Sequence, residues 1–255
     1  MYITQRKEII LNLIEKKGSI SVDELATKFK VSAATIRSDL NELDSRKLVT
    51  RTHGGAIRRN KKIENYSEEQ LYDTRKSKNL PEKRVIAYKA LAFIHEGDCI
   101  ILDASSTCYE LAKLLLQEEI KLTVLTSGLR TANLLKESRY FNVIIIGGLV
   151  KHGSNAVEST LGLDLIHKFN IDTFFASSYA VSITDGLSDF SLYESELKKE
   201  LIHYAEKTLM LIDHSKFEKK SIIKFAEIED VNLIITDDDL TPSILKEYSS
   251  VTTIK

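Results

Sequence analysis

From residue 99 onward, continuous apolar runs alternate with amphipathic ones, and no other feature restricts the fold so sharply. CIILDA (99–104), KLTVLTS (121–127), FNVIIIGG (141–148), DTFFASS (172–178), TLMLIDHSKF (208–217) and VNLIITDD (231–238) are strand-like. Between them, YELAKLLL (109–116), LRTANLLKE (129–137), LGLDLIHKF (161–169) and ESELKKELIHYAE (194–206) carry apolar residues at helical spacing. Strands that are apolar on both faces must be covered on both faces, so the pattern predicts an α/β unit built on a mostly parallel sheet.

Ligands of such sheets bind beyond the carboxyl ends of the strands. The residues expected there are Asp103 to Thr107, Thr126 to Gly128, Gly147 and Gly148, Ser177 and Ser178, Asp213 with Lys216, and Thr236 with Asp237. These residues are small and polar, which suits a phosphorylated polyol. Ser105, Ser106, Thr107 and their N–H groups can hold a phosphate at a helix start, Lys216 adds a cation, and Asp103 and Asp213 accept hydroxyl protons. A plain helix cap is the competing reading of Ser105 to Thr107.

The first sixty residues are of another kind. Residues 1–62 carry 14 Lys+Arg against 7 Asp+Glu, whereas the remainder carries 22 against 30. A cationic module on an anionic body points to a polyanion partner for the module alone. Ile9, Ile10, Leu13 and Ile14 mark a first helix, with Gly18 at its C-terminal cap. Ser21 with Glu24 opens a second, in which Leu25, Ala26 and Phe29 form the apolar stripe. Ser32 caps a third, which turns Ile36, Leu40 and Leu43 inward. About three residues separate helices two and three, as in a helix-turn-helix. The outward set on the third helix is expected to be Ala33, Ala34, Thr35, Arg37 and Ser38, with Arg37 reaching a phosphate or a guanine edge. LVTRTHGGAIRR (48–59) reads as a wing that lays Arg51, His53, Arg58 and Arg59 along the nucleic-acid backbone.

The stretch SVDELATKFKVSAATIRSDLNELDSRKLVTRTHGGA, Ser21 to Ala56, resembles the winged helix of DeoR-type transcriptional regulators. The resemblance implies a DNA-reading segment from about Ile20 to Asp39. It departs at Ser38, where the family usually carries a second Arg. EKRVIAYKALAFIHEGDCIILDASST, VIIIGGLV, DGLSDFSLYESELKKELI, LIDHSKF and LIITDD are similar to the effector domain of the same family, whose fold is related to ribose-phosphate isomerases. The resemblance implies a phosphate loop at Asp103 and Ser105 to Thr107. It sets Asp185, Glu194 and Lys198 near the sugar, and Asp213 and Lys216 across the pocket. Ser105 stands where that loop usually has Gly, and its Cβ narrows the approach of phosphate to the backbone.

The expected organisation is a winged helix-turn-helix domain at 1–58, a charged linker at 59–80 and an effector-binding and oligomerisation domain at 81–255. Pro81 suits the first turn of a helix whose apolar face is Val85, Ile86, Ala90, Leu91 and Ile94. Cys99 and Cys108 lack ligand spacing and read as buried thiols, and no apolar run is of membrane-spanning length, so a cytoplasmic protein without a membrane partner is expected. No GxxxxGK, GxGxxG, HExxH or GxSxG occurs, and the six histidines show no metal spacing, so neither a cofactor nor a metal is expected. They read as surface or wing residues. Three functions compete: a regulator that binds a double-stranded operator as a homo-oligomer and is released by a phosphorylated sugar, a sugar-phosphate isomerase with an accessory module, and a regulator whose body only oligomerises. A sensor is useful only if its ligand persists, so the fused module favours a non-enzyme.

Overall fold

The computed structural model describes residues 3–17, 19–45, 48–52, 55–58 and 68–255. The chain divides into two compact units, Met1–Tyr66 and Ser67–Lys255.

In the smaller unit, α1 (Ile3–Lys17), β1 (Ser19–Ser21), α2 (Val22–Phe29) and α3 (Ala33–Ser45) precede a hairpin of β2 (Val49–Thr52) and β3 (Gly55–Arg58). The Oγ of Ser21 accepts the Glu24 N–H and so starts α2, and Ser32 does the same for α3 through the Thr35 N–H. Lys30 ends α2 in the left-handed conformation, φ 54°, its N–H bonded to Ala26 and Thr27 carbonyls, which produces the tight turn without a glycine. Ile10, Ile14, Leu25, Ile36, Leu40, Leu43 and Val49 are buried together, with Ile20 of β1 and Ala56 of β3 closing the cluster. The strand β1 was not foreseen. It pairs antiparallel with β3, and Gly55 permits this because a Cβ there would lie 2.2 Å from the Ile20 carbonyl oxygen. A buried ion pair ties α1 to α3: Arg6 Nε lies 2.5 Å from Asp39 Oδ2, and Arg6 Nη2 lies 3.1 Å from Oδ1. The expected cap at Gly18 falls outside the described residues.

The larger unit begins with α4 (Glu68–Ser77) and α5 (Leu80–Leu91). Its second half of the expected linker is therefore α4, packed within this unit. In α5, Ile86 and Ala90 are buried as expected, but Val85 is exposed because it lies on the opposite side of the helix. The strands β4 (Cys99–Leu102), β5 (Leu122–Thr126), β6 (Phe141–Ile145), β7 (Ile171–Ala176), β10 (Ala205–Leu211) and β12 (Leu233–Ile235) form one parallel sheet in the order β12-β10-β7-β4-β5-β6. The helices α6 (Ser106–Leu115), α7 (Leu129–Leu135), α8 (Leu163–Ile166), α9 (Leu192–Tyr204) and α10 (Pro242–Tyr248) follow strands or loops. Alternation along each strand feeds two cores. Ile100, Leu102, Phe175 and Leu211 meet α5 and α6 on one face, while Ile101, Phe174 and Met210 meet Leu197 and Leu201 of α9 on the other.

A second sheet of β8 (Ala180–Ser182), β9 (Gly186–Asp189) and β11 (Ile223–Ala226), antiparallel in the order β11-β9-β8, was not anticipated. The tail runs beside β12: Ile234 and Thr236 donate to Thr253 and Lys255 carbonyls, and Lys255 donates back to Ile234. At the opposite border β6 has no strand partner on its outer side among the described residues, and Ile145 and Leu161 are 44 % and 80 % exposed. Cys108 is buried and Cys99 half-buried, both unpaired. Burial raises both thiols, Cys99 to about 11, so neither is a ready nucleophile. Among the described residues no helix is long and apolar enough to cross a membrane.

Candidate effector site and candidate nucleic-acid interface

The strand order reverses at β4, whose chain continues to β5 on one side and meets β7, much later in sequence, on the other. Such a switch point opens a crevice beyond the carboxyl ends of the two strands, where open α/β sheets take their ligands. Asp103 follows β4 and Ser177 follows β7, and the two are joined there. Asp103 Oδ2 accepts the Ser177 N–H at 2.8 Å and Oδ1 accepts the Ser105 N–H at 2.9 Å. Asp103 is 2 % exposed. Its carboxylate thus spans the crevice and orients the loop that enters α6.

Lys198 reaches this point from α9. Its ammonium donates to Asp189 Oδ2 at 2.7 Å and to the Ser177 carbonyl at 2.8 Å, and it lies 3.0 Å from Glu194 Oε1 and 3.5 Å from Asp103 Oδ2. Burial works against its charge, but Asp189, Glu194 and Asp103 outweigh it and hold the lysine well above its ordinary range. Burial pushes the Glu194 carboxyl up, and Lys198 only partly opposes this.

A second lysine faces the same loop. Lys216 donates to the Ser178 carbonyl at 2.6 Å and to Ser177 Oγ at 3.2 Å, and burial lowers it despite Asp213. Asp213 Oδ1 accepts from Asn79 Nδ2 at 2.9 Å and from Ser215 Oγ at 2.5 Å. Burial raises the Asp213 carboxyl, but Lys216, Ser215 and Asn79 together bring it below the usual range. Lys83 completes the group from α5. It is 3 % exposed and donates to the Arg75 carbonyl at 2.7 Å and to that of Lys78. Burial, with Lys216 second, lowers its ammonium to about 8.

At the start of α6, Ser105 is a helix cap: its φ is −70° and its Oγ accepts the Cys108 N–H at 3.1 Å. The N–H groups of Ser106 and Thr107 have no acceptor among the described residues. The Thr107 and Ser178 hydroxyls are buried without partners. Unpaired N–H donors at a helix start, with lysines in the same group of residues, are the chemistry that attracts an anion.

Three expected members do not join. The Oδ2 of Asp185, in the turn between β8 and β9, accepts from Ser182 and Thr184, and Oδ1 lies 3.5 Å from Lys220. Hydrogen bonds from Ser182 and Thr184 lower its pKa, and its role there is to close a hairpin turn. Gly147 and Gly148 are exposed after β6, one strand further from the switch point. A Cβ at Gly148 would meet the Glu158 carbonyl at 2.3 Å, so close backbone approach explains that glycine. Conversely, Asp189, Lys83 and Asn79 belong to the group without having been singled out. Asp189 lay inside the quoted DGLSDF, but its pairing with Lys198 depends on β9, a strand of four residues.

Glu82, His214 and Asp239 bring ligand-type atoms within 4.8 Å of one another, and His214 Nδ1 lies 2.9 Å from Asp237 Oδ1. His214 is thus a bonded, half-buried residue and not the surface one expected.

In the smaller unit, Ala34, Arg37 and Ser38 are exposed on α3. Ala33 and Thr35, expected to be exposed as well, are half-buried. Ala33 precedes Ile36 and Leu40 by three and seven residues and so shares their inward face, and Thr35 Oγ1 lies 2.9 Å from Ser32 Oγ. Ser21 and Ser32 are exposed but spend their hydroxyls on caps. Arg51 pairs with Ala56 in the hairpin, and His53 and Arg59 lie outside the described residues. Asp39, at the end of the expected reading segment, is buried on Arg6 and faces inward.

A family model described as a DeoR-like helix-turn-helix domain matches residues 6–62, and one described as the DeoR C terminal sensor domain matches residues 78–238. Relatives include the HTH-type transcriptional regulator GolR of Listeria innocua, 35 % identical across 97 % of this chain and 96 % of its own. The L-fucose operon activator of Haemophilus influenzae is 34 % identical over 95 % of both chains. The glycerol-3-phosphate regulon repressor of Escherichia coli is 29 % identical over 95 % of this chain and 94 % of its own. Among solved structures, a ribose 5-phosphate isomerase from Methanocaldococcus jannaschii superposes on 55 % of each chain at TM-score 0.41 and 17 % identity. The full-length relatives are named as regulators and not as enzymes, and the chain belongs to the DeoR family of DNA-binding transcriptional regulators.

Proposed function

We propose that the chain represses carbohydrate-metabolism genes and that a phosphorylated sugar releases it from its operator. The observation that carries this reading is the switch-point crevice, where Asp103 ties the loop before the open Ser106 and Thr107 N–H groups to Ser177 and Lys198, and Lys216 bonds to Ser177 and Ser178. The phosphate lies at the start of α6, and the sugar hydroxyls bond to the carboxylates of Asp103 and Asp213 and to the serines at Ser177 and Ser178. Among the effector residues expected from sequence, Asp103, Ser105, Ser106, Thr107, Glu194, Lys198, Asp213 and Lys216 take part, and Lys83, Asn79 and Asp189 join them. A sugar in this site is bound and not turned over: Asp103 and Asp189 are each committed to fixed donors and are not placed as free bases.

Operator contact falls to Arg37, Ala34 and Ser38 on α3, with the hairpin on the flanking backbone. One such module contacts few base pairs, so selective binding requires paired copies on repeated half-sites. The open β6 border, with Ile145, Leu149, Val150 and Leu161 exposed beside it, supports pairing through the larger unit. Repression matches the name of the glycerol-3-phosphate relative, whereas the fucose relative is named an activator.

The test is a thermal-shift panel of sugar phosphates on the full chain, repeated with DNA from its own upstream region. The reading requires at least one compound that raises the melting temperature, is recovered unchanged, and dissociates the DNA complex. A compound that is converted restores the enzyme, and a panel without any shift leaves only a scaffold.

A further inference from the structure

Helix α4 lies in the stretch that neither family model covers, between residue 62 and residue 78. Of its side chains, Tyr72 is buried and Arg75 is half-buried. The Arg75 guanidinium carbon lies 5.9 Å from the Tyr72 ring centroid and 5.1 Å from that of Phe190. Aromatic faces attract a guanidinium and strip it of water, but they leave its in-plane N–H donors without acceptors. Among the described residues Arg75 makes no hydrogen bond or ion pair through its side chain; its charged neighbours are Glu194, which it favours, and Lys216, which it opposes.

The main chain fixes where this guanidinium works. The Arg75 carbonyl accepts Lys83 Nζ and lies 3.5 Å from Ser106 Oγ, so the end of α4 abuts the start of α6, where the Ser106 and Thr107 N–H groups are open. Among the described residues, Lys76 over Tyr109 at 5.0 Å and Arg130 over Tyr72 at 4.6 Å also hold α4, and Tyr72 is buried. Preceding α4 in the chain, residues 59–67 lead back to β3 of the reading module.

We infer that Arg75 binds the anionic part of the effector and that α4 is the element whose docking reports occupancy of the crevice. A planar fork with several unused donors matches a phosphate in two-point geometry. An anion seated on the α6 N–H groups then holds α4 through the Arg75 side chain, in addition to the bond from Lys83 to the Arg75 carbonyl. The ligand thereby favours one docking state of the helix that follows the DNA-binding module in the chain, which differential affinity requires of any effector. The inference rests on the anion reading of the crevice given above.

Hydrogen exchange on the full chain with inorganic phosphate, at constant ionic strength, tests it. In the wild type, phosphate is expected to slow exchange both at Ser106 to Cys108 and along α4. Arg75→Gln, which keeps much of the stem between the rings, is expected to bind phosphate about tenfold more weakly, from the loss of charge-assisted bonds. At saturating phosphate it is expected to keep the protection at α6 and lose that at α4, and Arg75→Lys is expected to fall between. If phosphate protects neither segment of the wild type, the anion reading fails and this inference with it. Protection at α6 alone in the wild type overturns the inference and spares the site. The same holds if Arg75→Gln binds as well as the wild type, even with a loosened α4, because Arg75 is then only a strut.

Discussion

Replacing Lys198 with Met removes the one ammonium that serves Asp189, Glu194 and the Ser177 carbonyl together. The linear methionine occupies most of the volume of the lysine stem, so the change isolates the charge and leaves little cavity. All three N–H bonds end on partners between 2.7 and 3.0 Å, and Lys198 and Asp189 are each 3 % exposed. Breaking a buried ion pair from one side costs about 3–5 kcal/mol, mostly because the abandoned carboxylates remain out of water. Part of that cost is relieved by protonation. Burial already raises Glu194 above 4.5, and loss of Lys198 raises it further. A carboxyl whose folded pKa exceeds its unfolded value is least costly below the unfolded value, and it loses stability as pH climbs through the folded one. The deficit of Lys198→Met is therefore expected to be smaller at pH 5 than at pH 8. The chain has no Trp, so urea unfolding is followed by far-ultraviolet circular dichroism, with the wild type measured at both pH values. A deficit under about 1 kcal/mol at pH 8, the size of an ordinary hydrogen bond, refutes the assignment of Lys198 as the hub of the crevice, as does a deficit equal at both pH values.

Arg37→Ala is expected to weaken binding to the upstream DNA about 5- to 150-fold in a gel-shift assay, by loss of one bidentate contact of about 1–3 kcal/mol, with melting unchanged; wild-type affinity removes Arg37 from the interface. Lys216→Ala is expected to leave DNA binding intact while raising the effector concentration needed for release; release at the wild-type concentration displaces the pocket from the β10 end. Leu161→Asp combined with Ile145→Lys is expected to lower the mass seen in light scattering and to weaken operator binding in parallel, and an unchanged mass moves the self-contact elsewhere.

Most strands of the main sheet were legible because burial on both faces leaves runs rich in Ile, Leu, Val and Phe. The caps at Ser21 and Ser32 were equally local, a hydroxyl three residues before the N–H it accepts. What escaped was decided at long range. The strand β1 has three residues and exists because Gly55 lets β3 approach it. The small sheet of β8, β9 and β11 consists of three- and four-residue strands, too short for a period to show. Without β9, nothing in the sequence brings Asp189 to Lys198. Likewise α4 has a polar composition, and its charges suggest a solvated connector until Tyr72 is found buried. Asp103, Ser106, Thr107 and Lys216 could be singled out because strand ends are where open α/β sheets expose polar loops. Asp185 was misplaced because an acidic residue beside a glycine serves a turn as readily as a ligand.

The two borders of the main sheet are treated differently. Residues 253–255 zip along β12 and bond to its outer hydrogen-bonding groups, while β6 has no strand on its outer side among the described residues. A slab with both rims exposed can stack indefinitely, one copy after another. With one rim sealed, two molecules that meet rim to rim about a twofold axis consume all that either can offer, so growth by that route halts at a pair. The closing strip of chain thus removes one of the two rims along which such sheet-to-sheet growth would run.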